Sequence, residues 1–440
     1  EMCIRDRAGN GQPAGEFQHP ENYQFDTQAG SFNQKGVVVD MDQIDQTISG
    51  YVKNNEISGG ALLVRKAGEV VYQNKWGYAD VAAGVPVEYD SIYRMMSMTK
   101  PVTAVGILKL MDRGLITLDD PLSKFLPQFK DMQVCADKRY EFKPGMNMLS
   151  LLQKLLFFRM DRVKTVPADR EITIRDLLSH SSGLAQGIVG LIAMMKDKSV
   201  RESLSQQADV FSRYVLDFQP GTGTGYSPLA GFDMLTRVIE VVSGMDAAEY
   251  FQREIFEPLG MTDSSFWPTE AQKARIVHVY KRKKHALADV TGTKDDVDGM
   301  LHRGPGYIAG CGGLFSTITD YDRFVQMLAN GGTYRGKVIL KPETVERMHT
   351  EAPAMHLEPD PGQVWGLGVK IRQNPEKGKL PVTAGTYGWS GAFGTHFFIS
   401  PADKLSCVWV TNRTDLGGSG SYISAKVEEL VFARFAGDRS

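Results

Sequence analysis

Residues 97–101 of the 440-residue chain are Ser97-Met98-Thr99-Lys100-Pro101, which contain the only S-x-x-K match in the sequence. Proline is tolerated in a helix only near its first turn, so Pro101 indicates that a helix starts here. The run Val102–Met111 is apolar on nearly every side, and Gly114 offers a stop. The sequence therefore predicts a buried helix that begins near Ser97, with Lys100 one turn further on and on the same face.

This pairing of a serine with a lysine suits nucleophilic catalysis. A serine hydroxyl is a weak nucleophile until a neighbouring base takes its proton. A lysine can be that base when burial and a nearby dipole or cation favour its neutral form. Unpaired N–H groups at a helix start can also stabilise an oxyanion. The alternative is that Ser97 caps the helix and Lys100 is solvated, and the tetrapeptide and its helix leave both interpretations open.

Signatures of other enzyme classes are missing from the sequence. There is no G-x-S-x-G, which removes the usual sign of an α/β-hydrolase. There is also no H-E-x-x-H and no P-loop, so zinc peptidases and P-loop NTPases lose their signatures. We predict no metal site and no cofactor.

Six short motifs follow one another along the chain. They are Ser97–Pro101, Leu177–Leu184 (LLSHSSGL), Pro220–Ser227, Pro258–Met261 (PLGM), Gly312–Thr317 (GGLFST) and Trp365–Gly368 (WGLG). In this order, over about residues 37–435, the set resembles the serine β-lactamase/penicillin-binding-protein superfamily. The resemblance implies Ser97 as nucleophile and Lys100 as its base. It also implies a β-lactamase-like α/β fold, in which an antiparallel sheet is flanked by helices and a mostly helical region is inserted.

The second catalytic element in the class C-like branch of this superfamily is Y-x-N. Tyr226-Ser227-Pro228 stands in that place and supplies the tyrosine but not the asparagine. The resemblance implies that the phenol of Tyr226 passes a proton between nucleophile and leaving group. The alternative is an ordinary buried tyrosine. A full Y-x-N match, Tyr72-Gln73-Asn74, precedes the serine and falls in a predicted hairpin, so we treat it as coincidence.

The third element is K-T-G or H-T-G in lactamases and peptidases, and its counterpart here is Trp389-Ser390-Gly391-Ala392. This stretch resembles the W-G-G version found in family VIII carboxylesterases and related acyltransferases. The resemblance implies that Trp389, Ser390 and Gly391 bind substrate. It also implies that the backbone N–H groups of Ser97 and Ala392 form the oxyanion hole. The alternative for Trp389 is an aromatic side chain of the core.

Strand patterns occur at the two ends of the chain, with helical patterns and loops between them. The predicted elements are a helix over Met41–Lys53, strands over Gly60–Arg65, Val70–Trp76, Val364–Ile371, Gly394–Ile399 and Ser406–Thr411, and a helix over Ser421–Phe435. One mixed sheet built from both chain ends accounts for this pattern. We predict a flexible arm at 1–36, an α/β domain from 37–118 and 301–440, and an inserted helical domain at 119–300.

Composition and charge limit the partners. A net charge of −2 gives no reason to expect nucleic acid or an anionic membrane. No run of 18 apolar residues predicts a membrane-spanning helix. The four cysteines form no C-x-x-C pair, which favours reduced, packed thiols. Glu1–Arg7 has no apolar core and does not match a signal peptide, so we expect a cytoplasmic protein. Oligomeric state has no sequence signal.

Three further features have ordinary explanations. His180 lies between serines, but in its motif it favours a role in ordering a loop over membership of a catalytic triad. Lys281–Lys284 is a basic run typical of a solvated surface. Met146–Met160 lies in a segment that is longer than the superfamily usually has, and it predicts an apolar helix that packs in the core or covers the acyl pocket.

Together these observations predict a carboxylesterase that cleaves small carboxylic esters through an acyl-enzyme on Ser97. The alternatives are a β-lactamase or D-alanyl-D-alanine peptidase, an acyltransferase on the same scaffold, and a catalytically dead lactamase-like binding protein. Trp389 and Pro228 replace residues that pair with the carboxylate and the amide of a lactam, which favours esters. Retention of Ser97, Lys100 and Tyr226 argues against a dead protein.

Overall fold

The computed structural model describes residues 43–140, 154, 156–197, 201–350, 361–418 and 421–436. The predicted arm at 1–36 lies outside these residues, as does most of the apolar segment Met146–Met160. At the described end of that segment, Leu156 and Phe157 are exposed and Phe158 is buried. The predicted division at residues 119–300 stays a prediction.

An eight-stranded antiparallel sheet forms the centre of the described structure. From one edge to the other its strands are Gln363–Trp365, Lys370–Arg372, Thr386–Ser390, His396–Ser400, Leu405–Val410, Gly59–Lys66, Glu69–Asp80 and Val85–Pro86. The two ends of the chain meet where Gly59–Lys66 pairs with Leu405–Val410, with Ala61 opposite Val410. This confirms the predicted β-lactamase-like antiparallel sheet built from both chain ends. The mixed sheet predicted from the strand pattern is wrong, since each pairing of its described strands is antiparallel.

The two faces of the sheet are covered by different helices, because successive side chains of a strand point to opposite faces. Leu62 and Val64 are buried in one cluster with Ile48 of the N-terminal helix and Val427 of the C-terminal helix. Leu63, between them in sequence, belongs to the larger core on the other face. The alternation of apolar residues therefore sets both layers of the core.

Helices and short strands make up the rest of the described chain. The α-helices are Gln43–Lys53, Thr99–Asp112, Ile174–Leu178, Ile188–Lys196, Leu204–Phe211, Ala230–Ser243, Ala247–Phe251, Glu257–Leu259, Glu270–Lys273, Asp298–Leu301, Ile318–Ala329, Pro342–Thr350 and Tyr422–Phe435. The remaining strands form two-stranded ribbons that pair Tyr93–Arg94 with Phe315–Ser316, Gln133–Cys135 with Thr165–Pro167, Tyr280–Lys283 with Ala286–Asp289, and Thr333–Tyr334 with Lys337–Val338.

The helix Thr99–Asp112 is buried on nearly all sides, as its sequence predicts. It packs against the helix Ala230–Ser243. Gly106 permits this packing, since a Cβ there would crowd Ile239 and Phe251. The helix ends at the predicted stop, where Gly114 has a φ of +73° and donates to Met111 O. This central helix carries Lys100 and begins two residues after Ser97.

One predicted strand is wrong in detail. The single strand predicted over Val364–Ile371 is a hairpin of two strands, because Gly366 N–H bonds to Val369 O and Gly368 takes a φ of +82°. The apolar pattern did not mark the turn, since both arms of the hairpin are buried. The basic run Lys281–Lys284 lies at the end of another hairpin, in which Tyr280–Lys283 pairs with Ala286–Asp289, and Lys283 and Lys284 are exposed.

Candidate active site

Ser97 lies in a single 3-10 turn, Met96–Met98, directly before the central helix. It is the only residue between Ser91 and Leu108 that is not buried. Met96 has a φ of +52°, in the left-handed region that side chains other than glycine rarely adopt. Such backbone conformations persist only where surrounding structure holds them, and they cluster at functional sites. The turn therefore presents one hydroxyl from an otherwise closed core.

Lys100 is almost completely buried and directs its ammonium group at Ser97. Its Nζ donates to Ser97 Oγ at 3.3 Å, to Pro228 O at 2.9 Å and to Cys311 O at 2.7 Å. The three N–H bonds of an ammonium group thus each have an acceptor. The spacing of three residues, from the 3-10 turn into the first turn of the helix, brings Lys100 and Ser97 together, as the S-x-x-K motif predicts.

Tyr226 comes from a loop 129 residues further along and meets the same oxygen. Its hydroxyl donates to Ser97 Oγ at 2.6 Å, and Lys100 Nζ lies 5.0 Å from its ring centre. The neighbouring backbone is anchored on His180, because Gly225 N–H bonds to His180 O and Ser227 N–H bonds to His180 Nδ1, both at 3.0 Å. The structure therefore brings Ser97, Lys100 and Tyr226 together within hydrogen-bond distance.

His180 orders this loop and does not reach Ser97 as a triad member. Burial, and then the positive charges of Lys100 and Lys370, hold the pKa of His180 well below its usual range, so the ring is neutral. The residue has a φ of +55°. Its ring lies 4.9 Å from that of Tyr226 and 4.2 Å from that of Trp365. The loop-ordering interpretation from the sequence agrees with this geometry.

The third-motif strand, Thr386–Ser390, and the turn after it approach the residues just before Ser97. A Cβ at Gly391 would overlap Met95 O and Thr395 Oγ1, so only glycine allows this approach. Thr395 Oγ1 donates to Met95 O at 3.0 Å. Ala392 follows in the turn and is only partly exposed. The structure thus places the predicted oxyanion segment beside the turn Met96–Met98, which carries Ser97.

An aromatic wall borders the tyrosine. Trp389 lies 5.3 Å from the Tyr226 ring and 4.5 Å from Trp365, while Trp365 stacks on Tyr226 at 5.8 Å between ring centres. Trp389 is 6% exposed. Its packing therefore agrees with the alternative of a core aromatic side chain and is also compatible with a contact to substrate. The substrate contact stays a prediction.

Ser390 differs from its two neighbours in the motif. Its side chain is buried, and its Oγ lies 2.7 Å from His396 Nδ1 on the adjacent strand. Gly391, by contrast, lies against Met95 and Met96, just before Ser97. The hydroxyl of Ser390 is therefore engaged within the sheet, and a predicted contact with substrate would have to come from its backbone.

Sequence reasoning missed two residues at this wall. Trp365 was part of a family motif but had no role assigned to it. Lys370, on the strand next to Thr386–Ser390, places its ammonium 5.1 Å from the Trp365 ring and 5.8 Å from the Trp389 ring. No local signal distinguished this lysine, because its position depends on strand pairing between segments that the sequence left as one strand.

A second layer lies behind Lys100. Asp233 accepts from Tyr307 Oη at 2.7 Å and from Cys311 N–H at 3.2 Å, and Cys311 O in turn accepts from Lys100. Burial raises the pKa of Asp233, against hydrogen bonds from Tyr307 and Cys311 that lower it. This carboxyl fixes the peptide to which the lysine bonds.

Other kinds of site find little support among the described residues. They contain no group of three His, Cys, Asp or Glu side chains that could hold a metal ion. Within the same part of the chain, no helix is long and apolar enough to cross a membrane. A cavity of about 410 Å³ lined by Lys130, Gln133 and Arg170, among others, includes none of the candidate catalytic residues. Cys135, Cys311 and Cys407 are free thiols.

The arrangement of a buried lysine and a tyrosine on one serine oxygen can support acyl transfer, since it supplies a nucleophile and groups that carry its proton. Ser97, Tyr226 and the glycine-containing strand come from three separate segments. The first two belong to the six motifs that follow one another along the chain, and the third is the separate counterpart of the K-T-G element.

Comparison with known proteins agrees with this picture. The family model described as Beta-lactamase matches residues 44–431. Lovastatin esterase of Penicillium rubens is 30% identical over 335 residues, which cover 72% of this chain and 73% of that protein. Esterase EstB of Burkholderia gladioli is 25% identical over 418 residues, 89% of this chain and 95% of that one. An Escherichia coli K12 protein provisionally assigned as a D-alanyl-D-alanine carboxypeptidase is 25% identical over 407 residues, 85% and 82% of the two chains.

Among solved structures, EstCE1 is described as a hydrolase with promiscuous acyltransferase activity. It matches with a TM-score of 0.69 at 23% identity, over 88% of this chain and 97% of that one. The fold is therefore shared with a hydrolase, and the sequence match covers the sheet, the central helix and the third-motif strand. On this evidence the chain belongs to the beta-lactamase family of serine hydrolases.

Proposed function

We propose that this protein is a carboxylesterase that hydrolyses small esters through an acyl-enzyme on Ser97. The observation that carries the proposal is the convergence of Lys100 Nζ and the Tyr226 hydroxyl on Ser97 Oγ, at 3.3 Å and 2.6 Å. The aromatic character of the third motif, with Trp389 where lactamases have a cation, directs the choice of substrate toward neutral esters.

The proposed reaction uses the lysine and the tyrosine as one unit. When the Lys100–Tyr226 pair holds one proton fewer, with the lysine as a neutral amine, it accepts the Ser97 proton while Ser97 Oγ attacks the ester carbonyl carbon, and the carbonyl oxygen becomes an oxyanion. The backbone N–H groups of Ser97 and Ala392 would hold that oxyanion. The C–O bond to the alcohol then breaks and the alcohol takes the proton. Water attacks the acyl-enzyme with the same pair as base, which releases the acid and restores Ser97.

Preference for esters over β-lactams follows from two positions. Pro228 has no side-chain donor for an amide, and its carbonyl is already bonded to Lys100. Trp389 cannot form a salt bridge with a carboxylate. Lys370 nevertheless brings a positive charge to within 5.8 Å of the Trp389 ring centre, so the wall is not wholly without charge. A direct comparison of the two substrate classes is therefore the decisive measurement.

The test compares kcat/KM for p-nitrophenyl butyrate with kcat/KM for nitrocefin. We expect a preference of about a hundredfold or more for the ester, since an unpaired amide and an unpaired carboxylate cost about 1–3 kcal/mol each, and the midpoint of their sum, about 4 kcal/mol, is nearly three decades at 1.4 kcal/mol per decade. Equal or greater efficiency on nitrocefin would assign the protein to the lactamase alternative.

Labelling with a fluorophosphonate separates an enzyme from a dead binding protein. Intact-mass spectrometry should show one adduct on the wild type and none on Ser97→Ala. Ser91→Ala is the matched control, because the Ser91 hydroxyl accepts from Glu88 N–H away from the site. An adduct that persists on Ser97→Ala would exclude Ser97 as the nucleophile.

The acyltransferase alternative differs only in the acceptor of the acyl group. Adding a short alcohol to the ester assay measures how much acyl-enzyme goes to alcohol instead of water. Hydrolysis that still dominates at high alcohol concentration supports the esterase assignment, and transfer that dominates at low alcohol concentration supports the acyltransferase.

A further inference from the structure

A buried chain of four polar side chains lies behind the third-motif strand. Ser390 Oγ is 2.7 Å from His396 Nδ1, and His396 Nε2 is 2.9 Å from Glu428 Oε1. Arg372 Nη2 donates to the same carboxylate oxygen at 2.8 Å. The proposed esterase chemistry uses none of these four side chains.

These are the residue types of a Ser–His–acid triad, but their burial excludes a second active site. Ser390, His396 and Glu428 are 1%, 2% and 5% exposed. A substrate carbonyl could not reach the serine without opening the sheet. These side chains must therefore act by holding other residues in place, and their position in the fold shows which residues they hold.

Ser390 and His396 form the last residue pair of two adjacent strands. The turn between them carries Gly391 and Ala392, and it closes on itself through Gly391 N–H to Thr395 O at 2.7 Å and Gly394 N–H to Gly391 O at 2.9 Å. The hydrogen bond between Ser390 and His396 thus joins the two sides of the turn at its base. Without that bond, the turn that carries Ala392 would be closed by its backbone hydrogen bonds alone.

Glu428 extends this link to the C-terminal helix, Tyr422–Phe435. Burial by itself would raise the pKa of Glu428, but the charges and hydrogen bonds of Arg372 and His396 outweigh it and lower the pKa to about 2. The carboxylate is therefore ionised at neutral pH, when it holds the histidine from the side opposite Ser390. A charged, buried partner of this kind fixes the orientation of an imidazole.

We propose that Ser390, His396 and Glu428 are positioning residues that set the oxyanion turn against Ser97. The proposal rests on the proposed esterase function, because it assigns the Ala392 N–H group to the oxyanion hole. It predicts that loss of the Ser390 hydroxyl slows formation of the tetrahedral intermediate without changing how ester binds.

The test measures kcat and KM for p-nitrophenyl butyrate, with the rate of fluorophosphonate labelling, in three serine variants. Ser390→Ala removes the hydroxyl, and Ser390→Thr restores it. Ser406→Ala is the matched control, since Ser406 is another buried serine of the same sheet, whose hydroxyl accepts from Gln326 at 2.9 Å. Displacements of about 1 Å at a reacting centre can cost about a hundredfold in rate.

We expect Ser390→Ala to lower kcat and the labelling rate between about tenfold and a hundredfold, with KM within about twofold of wild type. Ser390→Thr should recover most of the loss, and Ser406→Ala should show none. A Ser390→Ala enzyme with wild-type kcat, or a loss matched by Ser406→Ala, would overturn the proposal. If Ser390→Ala does not fold, Ser390→Cys decides by the same criteria.

Failure of the esterase function has a different signature. A wild-type protein that neither hydrolyses the ester nor takes up the fluorophosphonate refutes the proposed function, and the positioning role with it. An active wild type with an unaffected Ser390→Ala refutes the positioning role alone.

Discussion

The coupling between Lys100 and Tyr226 is the sharpest consequence of the site geometry. Both side chains contact the same atom, Ser97 Oγ, and the lysine Nζ lies 5.0 Å from the tyrosine ring centre. A proton carried by such a pair belongs to both groups. Removing either partner should therefore disable the pair, and removing the second should add little.

The expected magnitudes follow from that reasoning. General acid–base catalysis contributes about 10²–10⁴ in rate, so we expect Lys100→Ala and Tyr226→Phe each to lower kcat/KM about 10³-fold, or about 4 kcal/mol. Independent roles would multiply to about 10⁶ in the double variant. A shared role predicts a double variant within about tenfold of the worse single, which is a coupling energy of about 3 kcal/mol.

The assay is kcat/KM for p-nitrophenyl butyrate in the wild type, both singles and the double variant. Ser97→Ala sets the floor of the assay, so that a common floor is not mistaken for coupling. Tyr250→Phe combined with Lys100→Ala is the matched control, because the buried Tyr250 hydroxyl bonds to Gly106 O at 2.9 Å, further along the central helix and away from Ser97. That control pair should be additive. Additivity within about 0.5 kcal/mol for Lys100 and Tyr226 as well would refute the shared proton path.

Two further predictions concern the third motif and its support. Gly391→Ala should lower kcat/KM by about 10² or more, since the new methyl group would overlap Met95 O and displace the oxyanion turn. The control Gly50→Ala, which has open space at its Cβ, should leave kcat/KM unchanged. Equal activities of the two variants would contradict the close approach of Gly391 to Met95. Glu428→Gln should change the pH dependence of stability. Arg372 and His396 lower the pKa of Glu428 in the folded protein to about 2. The neighbouring Cys407 is a neutral thiol, because burial raises its pKa. The ionised Glu428 carboxylate therefore stabilises the folded protein fully above about pH 4.5, and this stabilisation is lost as pH falls toward 2. In urea titrations, the difference in unfolding free energy between wild type and variant should shrink by about 2 kcal/mol from pH 5 to pH 3; a constant difference would contradict the depressed pKa.

The sequence predicts local features of the site well and remote contacts poorly. Ser97 and Lys100 are three residues apart, in a 3-10 turn and in the first turn of the α-helix that follows it, so their meeting follows from local helical geometry. Tyr226 lies 129 residues from Ser97, and only the order of family motifs pointed to it. Lys370 had no signal at all, because its place beside Trp389 depends on which strands pair.

The predicted strand over Val364–Ile371 is a second case in which the sequence pattern did not reveal how the chain folds. Every residue in it is buried, so its pattern carries no alternation to mark an end. The turn is made by Gly366 and Gly368, which the sequence analysis treated as part of a family motif without assigning them a conformation. A reading of those glycines as a turn would have divided the strand correctly.

The strained turn that presents Ser97 depends on segments from across the chain. Met95 N–H donates to Leu314 O at 2.9 Å, and Met95 O accepts from Thr395 Oγ1 at 3.0 Å. Leu314 N–H in turn bonds to Thr99 Oγ1 at 3.1 Å, on the other side of the nucleophile. A left-handed Met96 costs about 1–2 kcal/mol by itself, so it needs these remote bonds to persist.

The geometry around Ser97 therefore depends on remote segments as well as on the S-x-x-K sequence. The motif fixes the spacing between Ser97 and Lys100, which is why the sequence alone could place them together. Ser97 itself, however, lies in the turn Met96–Met98, and the residue before that turn, Met95, is bonded to Leu314 and Thr395. A short motif can thus predict the candidate nucleophile, while the conformation that presents its hydroxyl requires segments from across the chain.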